Sequence, residues 1–146
     1  MTTDLIRRSR LILVFLVVFA ASSLTGCNRG LRRIPVSGNV TLDGKPLQGG
    51  VLLFHPDASK GNTAHASCTG PVKDGTYNLV TSAVTKSDTG TGAPLGWYKV
   101  TLINDLPGMP IINVHNKYLQ PGTTPVAIEI VNEPQPGAYD VELTTK

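Results

Sequence analysis

Aromatic residues make up only 5% of this chain, and tryptophan occurs once, at Trp97. Glycan-binding faces usually stack several exposed rings, so a flat carbohydrate platform has little to stand on here. Charge is also sparse, at 16% of residues. Three of the 13 basic residues and one of the ten acidic ones fall within the first 26 positions, leaving a net charge of about +1 for the rest. That is too little for the basic face that nucleic acid requires. After residue 26 no stretch repeats apolar residues at a period of 3.6 for three turns, which excludes a helical core. Catalytic groupings are missing as well. No Ser or Cys adjoins a base, no carboxylates pair at strand ends, and Gly90-Thr91-Gly92 leads into Pro94 and a strand pattern rather than the helix a phosphate site needs. No catalytic residue and no cofactor are expected.

What is present begins at the N-terminus. Arg7, Arg8 and Arg10 precede an unbroken apolar run over residues 11–21, followed by Ser22-Ser23 and Leu24-Thr25-Gly26-Cys27. A basic segment, an apolar segment and small residues in that order read as a secretion signal. The run is too short to cross a bilayer, which takes about 20 residues as a helix, and no later run reaches that length. Leu-Thr-Gly-Cys resembles the bacterial lipobox. The resemblance implies a signal peptide over 1–26, lipid on Cys27, and a tether over 27–34 holding the protein to the membrane. Several acyl chains, at about 0.8 kcal/mol per buried methylene, make release very slow. Asn28 stands where an inner-membrane retention signal usually has Asp, which implies the outer membrane. Arg29, Arg32 and Arg33 lie where anionic headgroups could meet them.

With Cys27 carrying lipid, Cys68 has no partner and an intramolecular disulfide is excluded. Cys68 sits in a strand-like stretch, where a buried, inert thiol is the expectation.

The remaining 120 residues suit one domain. Fifteen glycines and eleven prolines divide the chain into short segments, and alternation or short apolar runs predict strands over 36–42, 51–54, 64–69, 76–81, 97–103, 126–130 and 139–143. Val51 to Phe54 reads as buried on both faces, and His55-Pro56 as the end of that strand. Asp43-Gly44 and Asp74-Gly75 supply turns. In the fifth strand Tyr98, Val100 and Leu102 should face the core while Lys99 and Thr101 face water, and Trp97 should lie at a sheet edge. Residues 82–94 read as a surface loop, and 104–125 as a long interruption with one helical turn near 116–119. Seven strands at this spacing predict an all-β, two-sheet sandwich.

Val36-Ser37-Gly38-Asn39-Val40-Thr41-Leu42-Asp43-Gly44-Lys45-Pro46-Leu47 followed by Gly50-Val51-Leu52-Leu53-Phe54 resembles the opening of carboxypeptidase regulatory-like, or transthyretin-like, domains. Asp74-Gly75-Thr76-Tyr77, Pro94-Leu95-Gly96-Trp97-Tyr98-Lys99-Val100, Lys117-Tyr118 with Thr123-Thr124-Pro125-Val126, and Tyr139-Asp140-Val141-Glu142-Leu143 resemble the rest of small bacterial lipoproteins of this kind. The resemblance implies a sandwich domain over 35–146 and an architecture rather than a chemistry. Related sandwiches that hydrolyse 5-hydroxyisourate use His and Arg with a C-terminal Tyr-Arg-Gly-Ser. This chain ends Glu142-Leu143-Thr144-Thr145-Lys146 and has no arginine after Arg33.

Two kinds of site remain. Met109, Ile111, Ile112 and Val114 place apolar residues in an expected loop, either as a patch for an envelope protein partner or as a plug over the open end of the sandwich. His55 and His65, with Asp57 and His115 as further donors, flank a second loop that could hold a metal, a solute or a glycan, although their spacing matches no ligand motif. The leading expectation is a non-enzymatic, lipid-anchored cell-envelope protein whose domain serves as a structural or protein-binding module. The alternative is a solute-, glycan- or metal-binding envelope domain.

Overall fold

Two Asp-Gly pairs set the registers from which the sheet grows. Asp43 and Gly44 have φ of 48° and 77°, and Asp74 and Gly75 have 50° and 75°, positive at both central residues as a two-residue hairpin requires. The first joins β1 (Ser37–Leu42) to β2 (Lys45–Pro46). The second joins β4 (Ser67–Lys73) to β5 (Thr76–Asn78). The computed structural model describes residues 31–83, 85–108 and 111–146. The expected signal peptide, Cys27, the first part of the tether and Met109 lie outside the described residues.

The other strands are β3 (Val51–Pro56), β6 (Val80–Ser82), β7 (Gly90–Thr91), β8 (Gly96–Ile103), β9 (Ala127–Ile130) and β10 (Val141–Leu143). They form one curled sheet in the order β10-β1-β5-β4-β3-β8-β9, antiparallel except where β10 runs parallel to β1. Among the described residues helix is confined to 3-10 turns at Ala58–Lys60, Lys86–Asp88 and Asn116–Leu119, the last where the sequence predicts one. The protein is all-β. The alternating strands 126–130 and 139–143 become β9 and β10, at opposite ends of the path.

Alternation decides which side chains go inside. Leu52 and Phe54 from β3, Tyr77 from β5, and Tyr98, Val100 and Leu102 from β8 are all at most 2% exposed. Phe54 sits between two rings, with centroids 5.8 Å from Tyr77 and 6.2 Å from Tyr98. Both phenols stay bonded in this dry setting, Tyr77 donating to the Tyr139 carbonyl at 2.6 Å and Tyr98 to that of Pro94 at 3.0 Å. Burial pushes the Tyr98 phenol up to about 12.

Several details differ from the sequence reading. β3 is buried on one face only, since Val51 and Leu53 are partly exposed, and it continues through His55 to Pro56, which pairs with Tyr98. β4 begins at Ser67 rather than residue 64 and runs through Gly70-Pro71. A Cβ at residue 70 would lie 2.8 Å from the Tyr77 ring, so this glycine marks a close approach rather than a break. The strand expected over 76–81 divides at Leu79, whose N–H donates to the Val36 carbonyl and whose carbonyl accepts from Gly92. Its outer neighbour thus changes from β1 to β7. The expected surface loop 82–94 accordingly contains β7 and buries Gly92, Ala93 and Pro94. Thr101, expected in water, is 3% exposed. Trp97 lies at the start of β8, an interior strand between β3 and β9, rather than at a sheet edge.

Candidate functional site

β1 and β4 each run from one end of the domain to the other, and the features of interest collect at those two ends. At the far end the first hairpin, the C-terminal segment and the loop after β8 enclose an apolar hollow of about 450 Å³. Its walls include Leu42, Pro46, Leu47, Ile111, Ile112 and Thr145. The C-terminal wall is fixed by Asp43, whose carboxylate accepts from the Thr145 N–H at 3.2 Å and from its hydroxyl at 2.8 Å. The loop wall is fixed by Asn104, whose carbonyl accepts from the Ile112 N–H while its side-chain amide donates to the Ile112 carbonyl.

This geometry divides the expected apolar patch. Val114 is 6% exposed and belongs to the core, which corrects its assignment as a contact residue. Ile112 is half-buried against the core and packs near Gly50 and Leu102. These two residues close the end of the curled sheet. Ile111 is 72% exposed at the rim of the hollow, so of the described residues expected in an apolar patch only Ile111 and the exposed edge of Ile112 remain at the surface.

The histidines do not form one cluster. Among the described residues no three His, Cys, Asp or Glu side chains are grouped to hold a metal ion. His55 is a strand residue, not a loop ligand, and its Nε2 lies 3.0 Å from the Thr101 hydroxyl. That contact explains why Thr101 is covered. His115 caps the turn at Asn116–Leu119, its Nδ1 accepting from the Lys117 N–H. His65 is exposed beside a second hollow of about 330 Å³. Asp57 caps the turn at Ala58–Lys60, with Oδ1 accepting from the N–H and hydroxyl of Ser59 while Oδ2 is buried without a partner. The Ser59 hydroxyl holds this carboxyl below its usual range. The Trp97 ring is covered by Lys60, whose Nζ lies 3.5 Å from its centroid, which removes it as a free stacking platform.

Burial holds His55 below 6.5, its ordinary value. The unfolded chain therefore binds the proton first as pH falls. The His55 contribution is intact above about pH 6.5 and is lost progressively as pH drops from there towards the lower folded value. Urea midpoints at pH 7.5 and 5.0 are expected to differ more for the native chain than for His55→Gln, and equal differences would refute this coupling.

The near end was not legible as a site. The Leu31 N–H donates to Asp88 Oδ1 at 2.6 Å. Ile34 and Ala93 exchange two backbone hydrogen bonds, at 3.0 and 2.9 Å, and Arg33 lies against Gly90. Residues 31–34, expected to be tether, are therefore tied to the domain. The available clue was Gly90-Thr91-Gly92, where the Arg33 side chain approaches Gly90 and the Ile34 backbone approaches Gly92.

Cys68 is fully buried, with the Thr81 hydroxyl 3.4 Å from its sulfur, and burial raises its thiol. No base activates it among its hydrogen-bond partners. Compared with protein-family models, curated proteins and solved structures, the chain matches none.

Proposed function

We propose that this chain is a non-enzymatic bacterial lipoprotein of the cell envelope, held by lipid on Cys27 and displayed at the outer membrane. Its domain is a transthyretin-like, carboxypeptidase regulatory-like sandwich that serves as a protein-binding module. The observation that carries the reading is Leu24-Thr25-Gly26-Cys27 at the end of the apolar run, a few residues before an all-β body that begins by Leu31. The curled sheet and its Asp-Gly hairpins support the domain type. The inert surroundings of Cys68 and the structural use of His55 and His115 support a binding rather than a catalytic role. The partner surface is the hollow beside Ile111.

Mass spectrometry of the protein extracted from membranes is expected to show a mature chain starting at an acylated Cys27. An exported form free in solution with an unmodified thiol would overturn the anchor. For the binding role, a photo-crosslinker placed at Ile111 in intact cells is expected to capture one discrete protein, while one at exposed Glu129 does not. Equal, diffuse labelling from both positions would overturn it.

A further inference from the structure

We infer that the end of the domain bearing Leu31, His65 and Lys86 rests on the anionic headgroup layer of the bilayer, with the Ile111 hollow held at the opposite end. The inference rests on the lipid anchor proposed above. Three observations carry it: a short leash, the charge around its point of attachment, and the direction of two strands.

Four residue steps separate Cys27 from Leu31. A fully extended chain covers at most about 3.6 Å per residue, so Leu31 lies within about 14 Å of the lipidated residue. Leu31 is not a free linker residue, because its N–H is bonded to Asp88 and the Ile34–Ala93 pair ties down the residues that follow. Without these bonds the leash would run on towards Val36. A domain of this size has a radius of gyration of about 13 Å and a diameter of roughly 35 Å. On a 14 Å leash it can tilt, but it cannot turn its far end to the membrane.

The surface around Leu31 is suited to that contact. Arg32 and Lys86 are exposed, and Arg33 lies beside them against Gly90. Asp88, also at this end, stays ionised and faces Arg33, so that pair nearly cancels and Arg32 and Lys86 supply the net positive charge; its carboxylate oxygens accept from the Leu31 N–H and from the Thr85 hydroxyl at 2.5 Å. The Thr85 bond and then the Leu31 bond hold this carboxyl low. Basic residues near an anionic leaflet each raise occupancy about fivefold. The chemistry fits phosphate headgroups attached to a surface, since the charges are spread around the leash instead of converging on one pocket.

Strand direction fixes what lies opposite. β1 leaves the Ile34–Ala93 clasp and reaches the hollow at Leu42, and β4 leaves the His65 side at Ser67 and reaches the Asp74-Gly75 turn beside Pro46. At about 3.3 Å per residue these strands separate the two ends by roughly 17 to 20 Å. A partner at Ile111 would thus be met well clear of the headgroups.

The test uses the full acylated protein in vesicles of phosphatidylcholine, with and without phosphatidylglycerol. Hydrogen exchange is expected to slow several-fold over residues 63–66 and 85–89 when phosphatidylglycerol is present, and to stay unchanged over 111–113. The protection should vanish near 1 M salt, where the Debye length is about 3 Å. The double substitution Arg32→Gln and Lys86→Gln, both at exposed positions, should lower the equilibrium constant for docking by about 25-fold, enough to abolish most of the protection. Protein that floats with the vesicles but shows the same exchange in both lipids, or protection over 111–113, overturns the inference and leaves the anchor standing. Protein that does not float and carries an unmodified Cys27 overturns the anchor, and the inference falls with it.

Discussion

Gly92→Ala is expected to destabilise the domain by about 3 kcal/mol, lowering the melting temperature by roughly 10 to 15 °C in a domain of this size. Two effects combine. Gly92 has φ of 88°, a conformation that costs a residue with a Cβ about 1 to 2 kcal/mol. A Cβ there would also lie 2.1 Å from the Ile34 carbonyl oxygen, so backbone must move by more than an ångström. That movement strains the two Ile34–Ala93 hydrogen bonds, each worth about 0.5 to 1.5 kcal/mol net. Gly61→Ala is the control, because Gly61 has a similar φ of 83° and nothing within 4 Å of its would-be Cβ. Circular dichroism melts should show the Gly92 variant losing much more than the Gly61 variant. Equal losses would mean that the close approach of residues 34 and 92 contributes nothing. If Cys27 carries the proposed lipid, the corollary is a longer leash, and hydrogen exchange should quicken first over residues 31–36.

How much of this was readable beforehand depended on whether a feature was local. The alternation of Tyr98, Val100 and Leu102 declared its own buried face, because apolar residues two apart can only go one way on a pleated strand. The Asp-Gly turns declared their registers for the same reason. Thr101 did not, since its cover comes from His55 on the neighbouring strand, a pairing with no trace in the residues around either one. The seven segments expected from the sequence correspond to the seven strands of the main path, yet β3 and β4 run past the glycine and proline that the sequence offers as punctuation. Gly70-Pro71 lies inside a strand because Tyr77 needs the space above residue 70.

The candidate site was legible in part, for the same physical reason. An apolar run inside a polar loop announced that residues 111–114 had to find a surface to cover. Which of them it was could not be read, because Ile112 and Val114 turn inward on a loop that Asn104, at the end of β8, clasps through the Ile112 backbone. The histidines stood out by residue type alone, and their separation in the fold follows from strand register. The clasp at Leu31 was hidden altogether, since Asp88 lies 57 residues away in a segment whose polarity suggested only a solvated loop.

Phe54→Ala and Ile111→Ser remove apolar side chains of comparable size and should have opposite consequences. Phe54 is fully buried between Tyr77 and Tyr98. Its truncation is expected to cost about 3 to 5 kcal/mol, since the lost burial is compounded by a cavity that two fixed rings cannot collapse to fill. Both phenols are tethered to backbone carbonyls, which places the cost towards the upper end of that range. Each ring pair adds about 0.5 to 1.5 kcal/mol beyond area alone. Ile111, 72% exposed, should change stability by less than about 0.5 kcal/mol, and its side chain meets water in the isolated domain. Urea unfolding would measure both. If the hollow is the partner surface, Ile111→Ser folds normally and loses the partner, because an apolar anchor at the rim contributes only when the partner excludes water from it. Phe54→Ala should lose the partner in proportion to the fraction unfolded, and regain it when low temperature or an osmolyte restores the fold. A stable Ile111→Ser protein that keeps its partner would move the contact away from this end of the domain.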